Sequence, residues 1–231
     1  MEDTKEVVSQ FPLIGEKAPA FEADTTQGRI KFPEDYKGKW VILFSHPADF
    51  TPVCTTEFMT FATMEKEFEA LNCRLIGLSI DSHYSHIAWL RTIKEKIEYK
   101  GMKDVEVKFP VIADVKMEVA KRYGMVHPGS SDVSPVRGVF FIDPEAKVRA
   151  IIFYPASLGR NFKEIKRALV AMQTADTYKV ATPADWQPGD DVIVPPPGSC
   201  GAAKERVDNA KKEGIRCVDW FLCFKPLNIK I

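Results

Sequence analysis

Residues His46 to Phe58 read HPADFTPVCTTEF, which sets the thiol of Cys54 just after a Thr-Pro step and just before an apolar-periodic run. Thr51 suits a helix N-cap and Pro52 the first helical position. Cys54 then falls in the first turn, where unpaired backbone N–H groups and the helix dipole favour a thiolate over a thiol. Reactive thiols in other proteins occupy such positions. Glu57 lies one turn on, on the same helix face. A bare carboxylate there opposes ionisation of the thiol, so the site requires a cation close to both, expected to be an arginine from elsewhere in the chain. The alternative for Cys54 is a small apolar filler at the top of the core, and the thiol alone leaves both roles open.

Four further cysteines, Cys73, Cys200, Cys217 and Cys223, make the total five in a chain of 231 residues. An odd number in a chain of this length argues against a secreted disulfide scaffold. No C-x-x-C occurs, and Cys217 and Cys223 are spaced too widely for a close pair of zinc ligands, with no histidine nearby. Reactive thiols are therefore expected rather than a metal site. Cys73 opens a buried strand and reads as inert core.

The elements that must position these groups alternate. Trp40 to Phe44 (WVILF) reads as a buried strand, and Phe58, Phe61, Ala62, Phe68 and Leu71 give helical spacing over Val53 to Leu71. Leu75 to Ile80 is a second buried strand. His83 to Tyr99 carries Ile87, Leu90, Ile93 and Ile97 on one helical stripe. A short strand at Phe109 to Ile112 and a short helix at Lys116 to Tyr123 follow. Val139 to Ile142 and Val148 to Phe153 form a hairpin about Asp143-Pro144, and Phe162 to Met172 shows another helical stripe. This order predicts an α/β sandwich around a central sheet. It is compatible with a thioredoxin-like fold without singling that fold out.

After about Thr177 the texture changes. Pro183, Pro188 and Pro195 to Pro197 break any long element, leaving an extended arm with one short helix near Ala202 to Lys212. The expected division is a domain over 1–176 and an arm over 177–231. No internal repeat is present.

Lys+Arg and Asp+Glu balance at 32 each, with 45% hydrophobic residues. No net charge favours nucleic acid or an anionic membrane as partner. The first ten residues, MEDTKEVVSQ, lack a secretory apolar core, and no apolar run is long enough to span a bilayer. The expectation is a cytoplasmic protein.

With these residues in view, HPADFTPVCTTEF resembles the peroxidatic motif of the peroxiredoxins, Pro-x-x-x-Thr-x-x-Cys, filled here by Pro47, Thr51 and Cys54. SPVRGVFFID resembles the segment that supplies the family's active-site arginine, here Arg137, the cation Glu57 requires. His46 and the Pro-rich arm resemble the one-cysteine and archaeal-type subgroup, and the resemblance covers essentially the whole chain. It implies a thiol peroxidase of thioredoxin-like fold with a C-terminal extension arm. Cys54 would attack a hydroperoxide and become a sulfenic acid, releasing water or an alcohol. Thr51 would hydrogen-bond the peroxide, Arg137 would stabilise thiolate and leaving oxygen, Pro47 would shield the site, and Glu57 would orient Arg137. His46 would stand near the pocket. Arg160 resembles a second arginine of the family that helps bind substrate, with a surface salt bridge as its alternative.

GIRCVDWFLCFKP resembles the C-terminal C-x-D-W-x-x-C motif of archaeal-type peroxiredoxins. By that resemblance Cys223 resolves the sulfenic acid of a partner chain as an intersubunit disulfide, and Cys217 takes part in later exchange. The alternative is that Cys54 works alone. Cys200 receives no role. The resemblance further implies a thioredoxin-like reductant, dimers assembled into a ring of five, and no metal, haem or flavin cofactor. Some one-cysteine relatives carry Gly-Asp-Ser-Trp before the catalytic strand, linked to a phospholipase activity. Here the residues are Lys37-Gly38-Lys39-Trp40, so no serine nucleophile is present and no lipase activity is expected. Two other readings compete: a general thiol-disulfide oxidoreductase, opposed by the missing C-x-x-C, and a ring-shaped holdase chaperone or redox relay.

Overall fold

The structure is a computed structural model and describes residues 11–210, 212 and 214–227. The first ten residues, on which the reading of a missing secretory signal rests, lie outside the described residues. The chain divides into two compact units, Met1–Phe162 and Lys163–Ile231.

The first unit is built on a seven-stranded sheet. Its strands are β1 (Phe21–Thr25), β2 (Gly28–Phe32), β3 (Trp40–Ser45), β4 (Cys73–Ser79), β5 (Val111–Ala113), β6 (Arg137–Ile142) and β7 (Val148–Tyr154), in spatial order β2-β1-β5-β4-β3-β6-β7. Three helices belong to it: α1 (Pro52–Ala70), α2 (His83–Lys96) and α3 (Glu118–Arg122). β3 reads as an unbroken apolar run because it is central. It pairs in parallel with β4 on one side and antiparallel with β6 on the other, and all six of its residues are buried. Strands covered on both faces lose the in–out alternation of a half-exposed strand. Phe58, Met59, Phe61 and Phe68 form the buried stripe of α1, at the spacing that the sequence shows.

Most predicted elements are present with shifted ends. The short strand begins at Val111 rather than Phe109, and α2 stops at Lys96. The β1–β2 hairpin was not anticipated. Its strands alternate charged and apolar residues, and the charges pair across the ladder on the outer face, as in Lys31 Nζ to Glu22 Oε1 at 3.0 Å. Half-exposed edge strands give a weak apolar signal.

The second unit corrects the expectation of an extended arm with a single helix. α4 runs over Phe162–Tyr178, past the predicted end at Met172. The tail then folds into a three-stranded sheet of β8 (Val192–Val194), β10 (Leu222–Lys225) and β9 (Arg216–Asp219), in that order, with α5 over Cys200–Asn209. The division falls at Phe162/Lys163, not 176/177, because α4 is tied to the tail. Arg167 Nη1 donates to the Trp186 carbonyl at 3.3 Å, and Ala181 bridges Ile193. Trp186 and Val192 are buried. The prolines that suggested an extended arm shape the turns between these pieces.

Candidate active site

Thr51 is the N-cap residue of α1 by its backbone, with φ −101° and ψ 146°, and Pro52 follows at the start of the helix. Its side chain does not cap, because Oγ1 donates back to the Ala48 carbonyl at 2.8 Å. The hydroxyl's lone pairs are thereby left to accept. Cys54 sits in the first turn, fully buried. Pro47 and Thr51 are half-buried beside it in the chain, on the loop between β3 and α1.

The cation that Glu57 required is present twice. Arg137, the first residue of β6, points one guanidinium nitrogen at both partners: Nη1 lies 3.3 Å from Cys54 Sγ and 2.8 Å from Glu57 Oε2. Its other nitrogens are fixed by the Ala156 carbonyl, at 3.1 Å from Nε and 2.6 Å from Nη2. Arg160 grips the same carboxylate. Its backbone N and Nε donate to Glu57 Oε1 at 2.8 and 3.0 Å, and Nη2 donates to Oε2 at 2.6 Å. Arg160 Nη1 donates to the Ser45 and Gly138 carbonyls, and its guanidinium lies over the rings of Phe44 and Phe61. Arg160 is therefore no surface ion pair. It is a buried clamp on Glu57, and only its depth was not legible in the sequence.

The charges can be counted. Two guanidiniums face one carboxylate, leaving one positive charge without an anion in a dry site. The same guanidinium that touches Sγ can follow negative charge as it moves onto an attacked oxygen.

His46 is buried on the far end of the same loop, in a cluster that sequence reasoning missed. Its Nε2 is 2.9 Å from Asp49 Oδ1, and His86 Nδ1, from α2, is 2.8 Å from Asp49 Oδ2. His86 Nε2 faces the Ile112 carbonyl at 3.2 Å. Among the described residues, His46 Nδ1 is buried without a hydrogen-bond partner. Burial raises the Asp49 carboxyl, but the hydrogen bonds from the two histidines outweigh it and hold the group at about 2, below its ordinary 3.8. Burial pushes His46 down from 6.5, against the pull of Asp49. One ligand atom each from His46, Asp49 and His86 lie within 4.8 Å of one another, so these three are where a metal ion could be held. The expectation of no metal site rested on the cysteines and did not foresee this set. Asp49 lay inside the motif stretch. His86 gave no signal, because a polar residue on an amphipathic helix reads as its solvent face.

The remaining thiols separate clearly. Cys73 is buried on β4 and burial pushes its thiol up. Cys200 is exposed at the start of α5, beside a cavity of about 690 Å³ that Val207 and Trp220 also line. Cys217 and Cys223 face each other across β9 and β10 with Cα atoms 4.0 Å apart, and they are joined as a disulfide. The structure thus pairs the two proposed resolving cysteines with each other.

Residues 14–151 match the AhpC/TSA family, and residues 171–210 match the C-terminal domain of 1-Cys peroxiredoxin. The chain belongs to the peroxiredoxins. It is 68% identical to a peroxiredoxin of Methanosarcina mazei, over 93% of this chain and 98% of that one. It is 53% identical to a peroxiredoxin of Aquifex aeolicus, over 96% and 100%. Among solved structures it is similar to a yeast mitochondrial 1-Cys peroxiredoxin, with a TM-score of 0.80 and 42% identity over 93% of this chain and 99% of that chain. Peroxiredoxin 6 of Arenicola marina matches with a TM-score of 0.77 and 38% identity, over 93% and 97%. The fold is accordingly the thioredoxin-like fold of the peroxiredoxins, and the enzyme is a thiol peroxidase. Among the described residues, no helix is long and apolar enough to cross a membrane.

Proposed function

We propose that Cys54 is the peroxidatic cysteine and that hydrogen peroxide and organic hydroperoxides are its substrates. The single observation that carries this reading is Arg137 Nη1, shared between Cys54 Sγ and Glu57 Oε2. The Cys54 thiolate attacks one peroxide oxygen. An S–O bond forms, the O–O bond breaks, and the leaving oxygen departs as water or alcohol once it takes the peroxide's proton. Sulfur is oxidised to a sulfenate, which takes one proton from solvent to become sulfenic acid, and the peroxide is reduced. Thr51 Oγ, with its hydrogen committed to Ala48, accepts the hydrogen bond of the incoming hydroperoxide. Arg137 stabilises the charge on the departing oxygen, Arg160 reinforces this through Glu57, and Pro47 limits water at the loop.

The sulfenic acid is then resolved by Cys223 of a partner chain, which expels water and leaves an intersubunit disulfide. Cys217 next attacks Cys223, returning Cys54 to its thiolate and leaving a Cys217–Cys223 disulfide. A thioredoxin-like dithiol reduces that bond. The proximity of Cys217 and Cys223 on one hairpin supports the exchange step. The assembly we propose is dimers closed into a ring of five, in the cytoplasm. A second reading is a one-cysteine cycle in which an external thiol reduces Cys54 directly. The match of the tail to the 1-Cys C-terminal domain favours it.

Non-reducing electrophoresis after one equivalent of peroxide separates the two. Resolution between chains predicts a dimer band that accumulates in Cys217→Ser and is absent in Cys54→Ser and Cys223→Ser. Peroxide consumption with no dimer in any variant would establish the one-cysteine cycle.

A further inference from the structure

The buried trio behind the loop ties it to other elements of the fold. His86, on α2, meets the Asp49 carboxylate at Nδ1 and the Ile112 carbonyl at Nε2. The Asp49 carboxylate also meets His46 Nε2 at 2.9 Å. These contacts form a chain from α2 through Asp49 to His46. All three side chains are shielded, with relative exposures of 0%, 1% and 0%.

This chain ends on the loop that carries Thr51. The Asp49 backbone N–H donates to Asp81 Oδ2 at 3.0 Å, and Asp81 is itself held by Ser79 Oγ at 2.7 Å. Between Asp49 and Thr51 stands Phe50 with φ +55°, a left-handed conformation that a bulky side chain adopts only when its surroundings impose it. Anchors on the Asp49 side chain and backbone, with the start of α1 immediately beyond, supply that constraint. The Ala48 carbonyl that orients the Thr51 hydroxyl lies directly before Asp49.

We propose that His86 and Asp49 are positioning residues for peroxide reduction: a buried hydrogen-bonded pair that ties the loop to α2 and holds it so that the Ala48 carbonyl orients the Thr51 hydroxyl toward the peroxide. The proposal rests on the reading of Cys54 as the peroxidatic thiol, and it adds two residues of β3–α1 loop and α2 that act through Thr51 without touching substrate.

Stopped-flow oxidation of Cys54 by hydrogen peroxide tests it. Asp49→Asn and His86→Gln are each expected to slow it by about tenfold to a hundredfold, the scale of a small misplacement of reacting groups. In a Thr51→Val background the same substitutions should cost little more, because the hydroxyl through which they act is gone. An undiminished loss in that background would show a merely structural role. Failure of the Cys54 reading itself would look different, as peroxide consumption that survives Cys54→Ser.

Discussion

Cys54 and Cys73 are both completely buried, yet they stand in opposite surroundings. Cys73 opens β4 opposite Trp40, and its sulfur lies 3.7 Å from the Arg74 carbonyl. Burial there disfavours the charged form and outweighs the Ile42 backbone and the Arg74 charge that oppose it. Cys54 is as dry, but it lies in the first turn of a helix with a guanidinium nitrogen on its sulfur. Equal burial therefore leaves the two thiols different: the charge that the fold brings to the sulfur separates them, and for Cys54 that charge comes from β6, far along the chain.

The largest expected effect tests the two thiols directly. Cys54→Ser should reduce peroxide consumption to background, while Cys73→Ser keeps it. In the folded wild type, iodoacetamide should label Cys54 and spare Cys73, as mass spectrometry of the digests can read. Labelling of Cys73 at a comparable rate would erase the contrast. Next comes the cation. Arg137→Ala should slow Cys54 oxidation by roughly 10²- to 10³-fold, the usual cost of removing one donor from developing charge. Arg137→Lys should recover only part of this, because an ammonium cannot reproduce the planar set of contacts to Cys54, Glu57 and Ala156. Stopped-flow rates that leave Lys equal to arginine would show that charge alone matters.

Arg160 sharpens the comparison on the side of stability. Arg160→Ala strips Glu57 of two hydrogen bonds and leaves the Ser45 carbonyl short of its donor. Denaturant unfolding should show a loss on the order of 3–5 kcal/mol, as for other broken buried ion pairs. A loss under about 1 kcal/mol would place Arg160 among surface pairs after all. A smaller effect is expected from acid. The folded His46 binds its proton more weakly than the unfolded residue at 6.5, so its stabilising contribution is full above that value and is lost as pH falls below it. Asp49 adds a second loss between 3.8 and about 2. Melting temperatures from about pH 8 down to about pH 3 should fall in two stages, and His46→Asn should remove the first. A single stage in both proteins would contradict the sign of the His46 shift.

How much of this was readable beforehand follows from where each signal lives. The start of α1, Cys54 and its need for a cation were legible, because cap residues, helical spacing and like-charge proximity act over a few residues. The central strands were legible because burial on both faces writes itself as unbroken apolar runs. Arg137 was found through the family motif rather than through any local rule. Asp49 and His86 were not legible as a pair, since their meeting depends on how α2 docks against the loop. The tail sheet was missed for another reason. Strands as short as Val192–Val194 fall below the length at which period-two patterning can be recognised.

The double clamp on Glu57 bears on the setting in which the enzyme can work. Arg137 and Arg160 keep side-chain exposures of 3% and 0%, so dissolved ions have no approach to the charges that face Cys54. Hydroperoxides are uncharged at neutral pH, and the chain's own formal charge is +0, so long-range attraction has nothing to act on in bringing substrate in. Oxidation of Cys54 should thus run at the same rate in dilute buffer and in strong brine, which makes this enzyme's first step indifferent to the ionic composition of its surroundings.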